Sequence, residues 1–447
     1  ARVRKERHIM ELSYQSTRGG ETGVTASQAI LKGLADDGGL FMPTFIPKLD
    51  KTMEELAGMT YQETAYEVMK LFLTDYTEEE LKNCIARAYD SKFDTGEIAP
   101  LAKADGAYFL ELYHGSTIAF KDMALSILPH LMITAAKKNQ VKNKIVVLTA
   151  TSGDTGKAAM AGFADVEGTA IIVFYPKDGV SRIQELQMVT QKGDNTHVVA
   201  IHGRLVPHVE YYVYAYAKLL EAGEIEAGEQ INVTVPTGNF GNILAAYLAK
   251  EMGVPVKTLI CASNENKVLY DFFRTGTYDR NRDFILTTSP SMDILISSNL
   301  ERLIYLSAGS DAKANAALMK ELSEKGSYTV TEEMRGFMKD FLGGFASEEE
   351  NRATIKKIFE DTGYLIDTHT GVAASVYNHY PEEKTDPAKT VIASTASPYK
   401  FSGSVLAAID GVRPEEDEFA IVDRLAELSG VVIPQAVEEI RTAPVRH

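Results

Sequence analysis

The feature that most constrains this chain is a repeated order of β-branched run, small-residue loop and helical segment. Such runs begin at Ile145, Ala170, Ile231, Thr258 and Thr390. Strands that alternate with helices pair in parallel, because each crossover helix returns the chain to the same end of the sheet. The sequence therefore predicts a doubly wound, mainly parallel α/β fold with its ligand at the carboxyl ends of the strands.

The length of the chain indicates more than one domain, since 447 residues exceed what a single hydrophobic core usually serves. Residues 1–96 have helical periodicity and are predicted to form a mainly helical N-terminal domain. Residues 97–125 and 205–447 are predicted to form a large α/β domain. Residues 126–204 are predicted to form a smaller domain.

Two local features refine this division. Thr77 followed by Glu80 is a capping-box pattern that predicts the start of a helix in the N-terminal domain. Residues 270–362 are charged and mainly helical, so we expect a helical insertion in the large domain, with Gly343-Gly344 as a break between helices.

Composition narrows the possible partners. The formal net charge of -16 disfavours nucleic acid or an anionic membrane as the main partner. The two cysteines, Cys84 and Cys261, lie far apart and suit neither a disulfide framework nor a zinc site, so no metal and a reducing cytoplasm are expected. No apolar run approaches the roughly 20 residues that span a bilayer. The basic start lacks the apolar segment of a secretory signal, and whether residues 1–9 are native is open.

The segment Pro236-Thr-Gly-Asn-Phe-Gly-Asn242 follows one of the predicted strands and precedes a helix. Glycines there let the backbone approach an anion, and the N–H groups of a helix start point toward it. The segment is therefore a candidate phosphate loop, although an ordinary tight turn remains the alternative. The spacing of a dinucleotide fingerprint is missing.

The segment Thr151-Ser-Gly-Asp-Thr-Gly-Lys157 also precedes a helix, but it fails the Walker A pattern at two positions. An anion or carboxylate site and a plain capping turn are both compatible with it. Ser181 and Arg182 open another helical segment that, taken alone, is an ordinary capped surface helix. Thr395 and His369, each near a strand or helix end, are by themselves more typical of structural roles.

Lys121 follows Ala119 and Phe120 and precedes a predicted helix. Partial desolvation would favour its neutral amine, which is what a Schiff-base lysine needs. A surface lysine with its stem over apolar neighbours is the alternative.

Taken together and in order, these motifs resemble those of the threonine synthases, pyridoxal-phosphate (PLP) enzymes of the tryptophan-synthase-β-like fold class. The resemblance covers nearly the whole chain. Its motifs are Ser16-Thr-Arg-Gly, Gly38-Gly-Leu-Phe-Met-Pro, His114-Gly-Ser-Thr-Ile-Ala-Phe-Lys-Asp, Thr151-Ser-Gly-Asp-Thr-Gly, Pro236-Thr-Gly-Asn-Phe-Gly-Asn, Ser289-Pro-Ser-Met-Asp-Ile and Thr395-Ala-Ser-Pro-Tyr-Lys-Phe.

The resemblance implies a set of cofactor contacts. Lys121 would hold PLP as an internal aldimine and later act as acid and base at the substrate carbons. Thr395 would meet the pyridine nitrogen with an uncharged hydroxyl. Asp154 stands where an amide donor is common in the fold class, and an ionised carboxylate cannot donate, so its part is open. The cofactor phosphate would be bound by Gly238, Asn239, Phe240, Gly241 and Asn242.

The implied reaction converts O-phospho-L-homoserine and water to L-threonine and phosphate, in the cytoplasm, by a monomer or homodimer. Candidate substrate-binding residues are Ser152, Thr155, Ser181, Arg182 and Gln187. Their placement within residues 126–204 implies that this smaller domain moves to close over the substrate. A threonine or serine dehydratase of the same fold class would share the lysine and the glycine loop. A phosphate-ligand binding protein would keep the loop but have no need of Lys121.

Overall fold

The computed structural model describes residues 12–150, 154–174, 183, 186–187, 190–196, 208–379, 388–411 and 417–444. The strands in these residues are β1 (Tyr14–Ser16), β2 (Phe41–Pro43), β3 (Leu101–Ala104), β4 (Ala107–Glu111), β5 (Ile145–Ala150), β6 (Thr169–Phe174), β7 (Ile231–Pro236), β8 (Val256–Ser263), β9 (Thr277–Asp279), β10 (Ser327–Thr329), β11 (Phe341–Phe345) and β12 (Thr390–Ser394).

The α-helices in the same residues are α1 (Ala26–Lys32), α2 (Met53–Ala57), α3 (Tyr61–Phe72), α4 (Glu78–Ala88), α5 (Asp122–Leu125), α6 (Leu128–Lys138), α7 (Asp154–Phe163), α8 (Glu210–Glu221), α9 (Gly241–Met252), α10 (Val268–Thr275), α11 (Leu300–Ser307), α12 (Ala312–Lys325), α13 (Glu332–Phe337), α14 (Glu348–Thr362), α15 (Thr368–Asn378), α16 (Ser402–Asp410), α17 (Glu418–Ser429) and α18 (Gln435–Arg441). Short 3₁₀ turns occur at Pro290–Met292 and Pro398–Phe401.

The largest sheet has six strands in the order β11-β8-β7-β12-β4-β3. All neighbours in it are parallel except β3 and β4, which form an antiparallel edge. Strands β5 and β6 form a separate parallel pair. The five runs predicted from the sequence are the strands β5, β6, β7, β8 and β12. The predicted α/β class with mainly parallel sheets is therefore confirmed.

Side chains of the large sheet alternate between two hydrophobic cores. Val391 and Ala393 in β12 join the core that includes α8 and α9, whereas Ile392 between them joins the core of α14 to α17. Successive strand residues point to opposite faces, so this alternation means that helices cover both faces of the sheet. Each fully buried aliphatic side chain contributes about 1.5–3 kcal/mol to this arrangement.

The described part of the predicted N-terminal domain contains α1 to α4 and the paired strands β1 and β2. The predicted capping box at Thr77 is confirmed: its hydroxyl accepts from the Glu80 N–H, and the Glu80 carboxylate accepts from the Thr77 N–H at 2.8 Å. Thr25, Thr52 and Thr60 cap three more helices in the same way. Where one domain ends and the next begins stays a prediction.

Strand β11 was not predicted, because Gly343-Gly344 was interpreted as a break between helices. The two glycines lie inside this strand, which is parallel to β8. A Cβ on Gly343 would meet the Tyr270 backbone at 3.1 Å, and one on Gly344 would meet Val376 at 2.3 Å. The glycines therefore allow α10 and α15 to pack closely against the strand, and this tertiary requirement has no local sequence signal.

A helix that spans a bilayer needs about 20 mainly apolar residues. None of the helices in the described residues is both long enough and apolar enough to cross a membrane.

Candidate active site

A cavity of about 500 Å³ lies beside the carboxyl ends of β7 and β12. Its wall includes Lys121, the loop 236–242 and Thr395. These three elements are separated by more than 100 residues along the chain. The fold brings together the lysine, the glycine loop and the hydroxyl that the sequence indicated as cofactor contacts.

The loop that carries Lys121 is bound to the loop that carries Thr395. The Phe120 N–H donates to the Thr395 carbonyl at 2.8 Å, and the Ser397 N–H donates to the Ile118 carbonyl at 3.0 Å. Lys121 is half-buried immediately before α5, and its Nζ lies 5.2 Å from the centroid of the Phe120 ring. The two backbone bonds therefore fix the position of the lysine relative to the hydroxyl.

The residue that follows Lys121 belongs to a buried cluster of charged side chains. Asp122, the next residue, accepts from the N–H and the hydroxyl of Thr117 at 2.8 and 2.7 Å. Lys400 donates to the Thr117 carbonyl at 2.8 Å. Lys157, from the second candidate loop, is buried near Asp122, and burial lowers its pKa to about 7 although the Asp122 charge opposes this. Burial raises the pKa of Asp122, and the hydrogen bonds from Thr117 together with the nearby charges of Lys400 and Lys157 offset part of this effect.

The glycine loop runs from the end of β7 to the start of α9. Its backbone approaches a neighbouring segment so closely that a Cβ on Gly238 would lie 3.0 Å from both Met292 Cα and the Ser291 carbonyl oxygen. Phe240 adopts a left-handed conformation with φ of 64°, which is uncommon outside glycine, and its buried ring packs near Phe341. Packing of this ring stabilises the backbone turn that begins α9.

Residues 297–299 hold the glycine loop from outside. The Ser297 hydroxyl donates to the Gly238 carbonyl at 2.7 Å. The Ser298 N–H and hydroxyl donate to Asn239 Oδ1 at 2.8 and 2.6 Å, and the Asn299 amide donates to the Asn239 carbonyl at 3.1 Å. The sequence alone did not indicate these residues, because Ser-Ser-Asn has no motif of its own and lies about 60 residues away.

His369 also lines the cavity, although its sequence context indicated a structural role. Its Nδ1 lies 2.9 Å from the Asp367 carboxylate, and its Nε2 accepts from the Ser291 N–H at 3.3 Å. The carboxylate favours a proton on Nδ1, which leaves Nε2 as the acceptor. His369 therefore connects the start of α15 to the segment that packs on Gly238.

The described residues of the cavity wall include neither the candidate substrate residues nor Asp154, the remaining candidate cofactor contact. Ser152, Ser181 and Arg182 lie outside the described residues. Asp154 and Thr155 begin α7, but their side chains are outside the described part of the structure. Gln187 is buried, and its amide has no hydrogen-bond partner in the part of the chain that the structure describes.

Comparison with known proteins identifies the family. A sequence profile described as "Threonine synthase N terminus" matches residues 13–89. The threonine synthase of Schizosaccharomyces pombe is 35% identical over an alignment that covers 88% of this chain and 89% of that protein. The chain belongs to the threonine synthase family. The crystal structure of yeast threonine synthase matches with a TM-score of 0.87 at 32% identity, covering 97% of this chain and 94% of that one.

Two further relatives differ in how much of their own length this chain covers. The structure of PLP-bound threonine synthase from Brucella melitensis has a TM-score of 0.82 at 31% identity, covering 98% of this chain and all of that one. Threonine synthase-like 1 of Macaca fascicularis is 35% identical over 86% of this chain, which spans 58% of that longer relative.

Membership of the threonine synthase family confirms the resemblance that the ordered motifs indicated. The roles of individual site residues stay predictions. His208 lines the same cavity beside Phe120, with ring centroids 5.5 Å apart, and no sequence motif singled it out.

A buried carboxyl group behind the Lys121 segment gives a pH-dependent prediction. Glu210 is fully buried at the start of α8, and burial raises its pKa from an ordinary value of 4.5 to about 8. Tyr61 donates to Glu210 Oε1 at 3.2 Å. The Tyr89 hydroxyl lies close to Glu210 and also 2.7 Å from the Met123 carbonyl, two residues after Lys121.

The folded protein binds the Glu210 proton more tightly than the unfolded chain. The stabilisation from this proton is complete below pH 4.5 and is lost as the pH rises toward 8. Because of Glu210, we expect the free energy of unfolding to fall by as much as about 1.4 kcal/mol for each unit by which the pH rises in this range. Glu210→Gln, which is neutral throughout, should have a smaller slope.

Urea unfolding of both proteins at pH 6 and pH 8 measures this difference. Glu360→Gln, at a carboxyl group more than half exposed, is the control and should keep the wild-type slope. Equal slopes in the wild type and Glu210→Gln would show that Glu210 is already ionised at pH 6.

Proposed function

We propose that this chain is a PLP-dependent threonine synthase that converts O-phospho-L-homoserine and water to L-threonine and phosphate. The observation that carries the proposal is the meeting of Lys121, the loop 236–242 and Thr395 in one cavity. The chain also belongs to the threonine synthase family.

The residues present fit PLP. A side chain at Gly238 would collide with the backbone of residues 291 and 292, so this position of the loop requires glycine. The Asn242 amide nitrogen is buried and has no hydrogen-bond partner among the described residues, as expected of a group that awaits an acceptor. The residues that would hold the cofactor are Lys121, Gly238, Asn239, Phe240, Gly241, Asn242 and Thr395.

When bound, PLP supplies an electron sink that makes the α and β protons of an amino acid removable. Lys121 would hold the cofactor through its amine, and the same amine, when free, would take and return protons at those two carbons. Thr395 offers an uncharged hydroxyl to the pyridine nitrogen. The N-terminus of α9 would stabilise the cofactor phosphate through its N–H groups and its dipole.

The substrate phosphate needs donors of its own, because the protein as a whole is acidic. Ser152, Thr155, Ser181, Arg182 and Gln187 are proposed for this part of the site, in a smaller domain over 126–204. The role of Asp154 in that domain stays open.

The decisive assay measures inorganic phosphate and threonine formed from O-phospho-L-homoserine by the PLP-loaded protein. We expect the two products in equal amounts, since one γ-phosphate leaves for each water added. A colourless protein that added PLP leaves unchanged would refute the enzyme proposal.

The same protein should be incubated with L-threonine while keto acid is measured. Keto-acid formation without phosphate release from O-phospho-L-homoserine would favour a dehydratase instead. The family relationship favours the synthase.

We further propose a cytoplasmic monomer or homodimer that acts on a small molecule, without nucleic acid or membrane partners. Cys84 and Cys261, both buried free thiols, agree with a reducing compartment.

A further inference from the structure

Two buried tyrosines contact the same oxygen atom in the glycine loop. Tyr211 and Tyr212 donate to Asn242 Oδ1 at 2.7 and 2.6 Å. Adjacent residues on a helix normally point in different directions, so a shared acceptor requires the start of α9 to lie close to the start of α8. Both phenols are almost completely buried.

These contacts determine which way the Asn242 amide faces. An amide oxygen accepts through two lone pairs, and here both are used by phenol hydrogens. Burial keeps the pKa of both phenols well above 10, so both remain donors at neutral pH. If the amide were reversed, its NH₂ group would face the two phenols, and their buried hydroxyl hydrogens would lose their acceptor.

The nitrogen of the same amide has no comparable partner. Asn242 Nδ2 is buried without a hydrogen-bond partner in the described chain, although Asn242 lines the cavity. Leaving a buried N–H unpaired is unfavourable, which is why such groups in native proteins usually meet a ligand, water or ion. The cavity beside Gly238 and Gly241 is where an anion would accept from it.

We propose that Tyr211 and Tyr212 are positioning residues that lock the Asn242 amide with its NH₂ group directed at the phosphate of PLP. This inference rests on the proposed function. The phenols act through Asn242 and discriminate cofactors that carry a phosphate from those that do not.

The test compares PLP with pyridoxal, which has the same ring and aldehyde but no phosphate. The dissociation constants of both are measured with the apo protein, by absorbance, for the wild type and for Tyr211→Phe/Tyr212→Phe. We expect PLP to bind the double variant about 10- to 100-fold more weakly, because the released amide can turn its oxygen to the phosphate. Pyridoxal should bind both proteins within about twofold.

Tyr216→Phe is the matched control. Tyr216 lies on the same helix, is fully buried and donates to the Glu229 carbonyl at 2.9 Å, without contact to Asn242. It should keep the wild-type preference for PLP over pyridoxal. The single variants Tyr211→Phe and Tyr212→Phe should show smaller losses confined to PLP, and they decide the test if the double variant does not fold.

An equal loss of PLP and pyridoxal would show that the phenols only support the shape of the pocket, and would overturn the inference. Unchanged PLP affinity in a folded variant would overturn it as well. A wild-type protein that binds neither compound would refute the proposed function, and this inference with it.

Discussion

Lys121→Ala is expected to abolish covalent attachment of PLP and to reduce threonine formation by at least about 10³-fold, since one residue provides both the anchor and the acid/base group. Lys121 is half-buried and lies at a segment end, so its truncation should leave the fold intact. Treatment with borohydride followed by mass measurement of the peptides detects the attachment directly. Wild-type protein should gain the cofactor mass on the peptide that contains Lys121.

Lys357→Ala is the control for the loss of a lysine as such. Lys357 is more than half exposed on α14, where its pairing with Asp361 contributes little. This variant should retain both cofactor attachment and activity. Attachment that persists in Lys121→Ala would place the cofactor on a different lysine and remove the basis of the proposed site.

The parts of the fold that could be predicted are those with a local signal. The strand at Thr390 is a short β-branched run followed by turn residues, and the helix after Thr77 begins with a capping box; both patterns act within a few residues. The glycine loop was predicted for the same reason, because the end of β7, the glycines and the start of α9 lie within one segment.

The parts that could not be predicted depend on contacts between distant segments. Strand β11 is glycine-rich because helices approach it, and that approach is visible only in the folded chain. Ser298 and Asn299 hold Asn239 from about 60 residues away. His369 faces the cavity because α15 begins there, whereas its surrounding sequence is that of an ordinary capped helix.

The site formed by Lys121 and Thr395 could be predicted only in part. Each could be selected by resemblance to the threonine synthases, but their proximity is a property of the fold. It depends on the bonds from Phe120 to Thr395 and from Ser397 to Ile118, which use only backbone atoms. Every residue other than proline offers the same backbone donor and acceptor, so residue identity does not reveal which of them pair. The sequence could therefore suggest both residues without showing that they meet.

Gly162→Ala, in α7, is expected to destabilise the folded protein. A Cβ at this position would lie 2.0 Å from the carbonyl oxygen of Leu125 and 2.9 Å from its carbonyl carbon. Both are backbone atoms, so no side-chain rotation can relieve the clash, and α7 must move away from α5. Overpacking of this kind typically costs about 1–3 kcal/mol, which urea unfolding measures.

The displacement should also reach the site, because α5 begins immediately after Lys121. A shift of about 1 Å can reduce catalysis by about 10²-fold, so threonine formation should fall while cofactor attachment persists. Gly336→Ala is the control: it lies in α13, and a Cβ there meets nothing within 4 Å. That variant should be neutral or more stable by up to about 1 kcal/mol, since alanine favours a helix over glycine. Equal stability of the two variants would mean that α5 and α7 are not packed through Gly162.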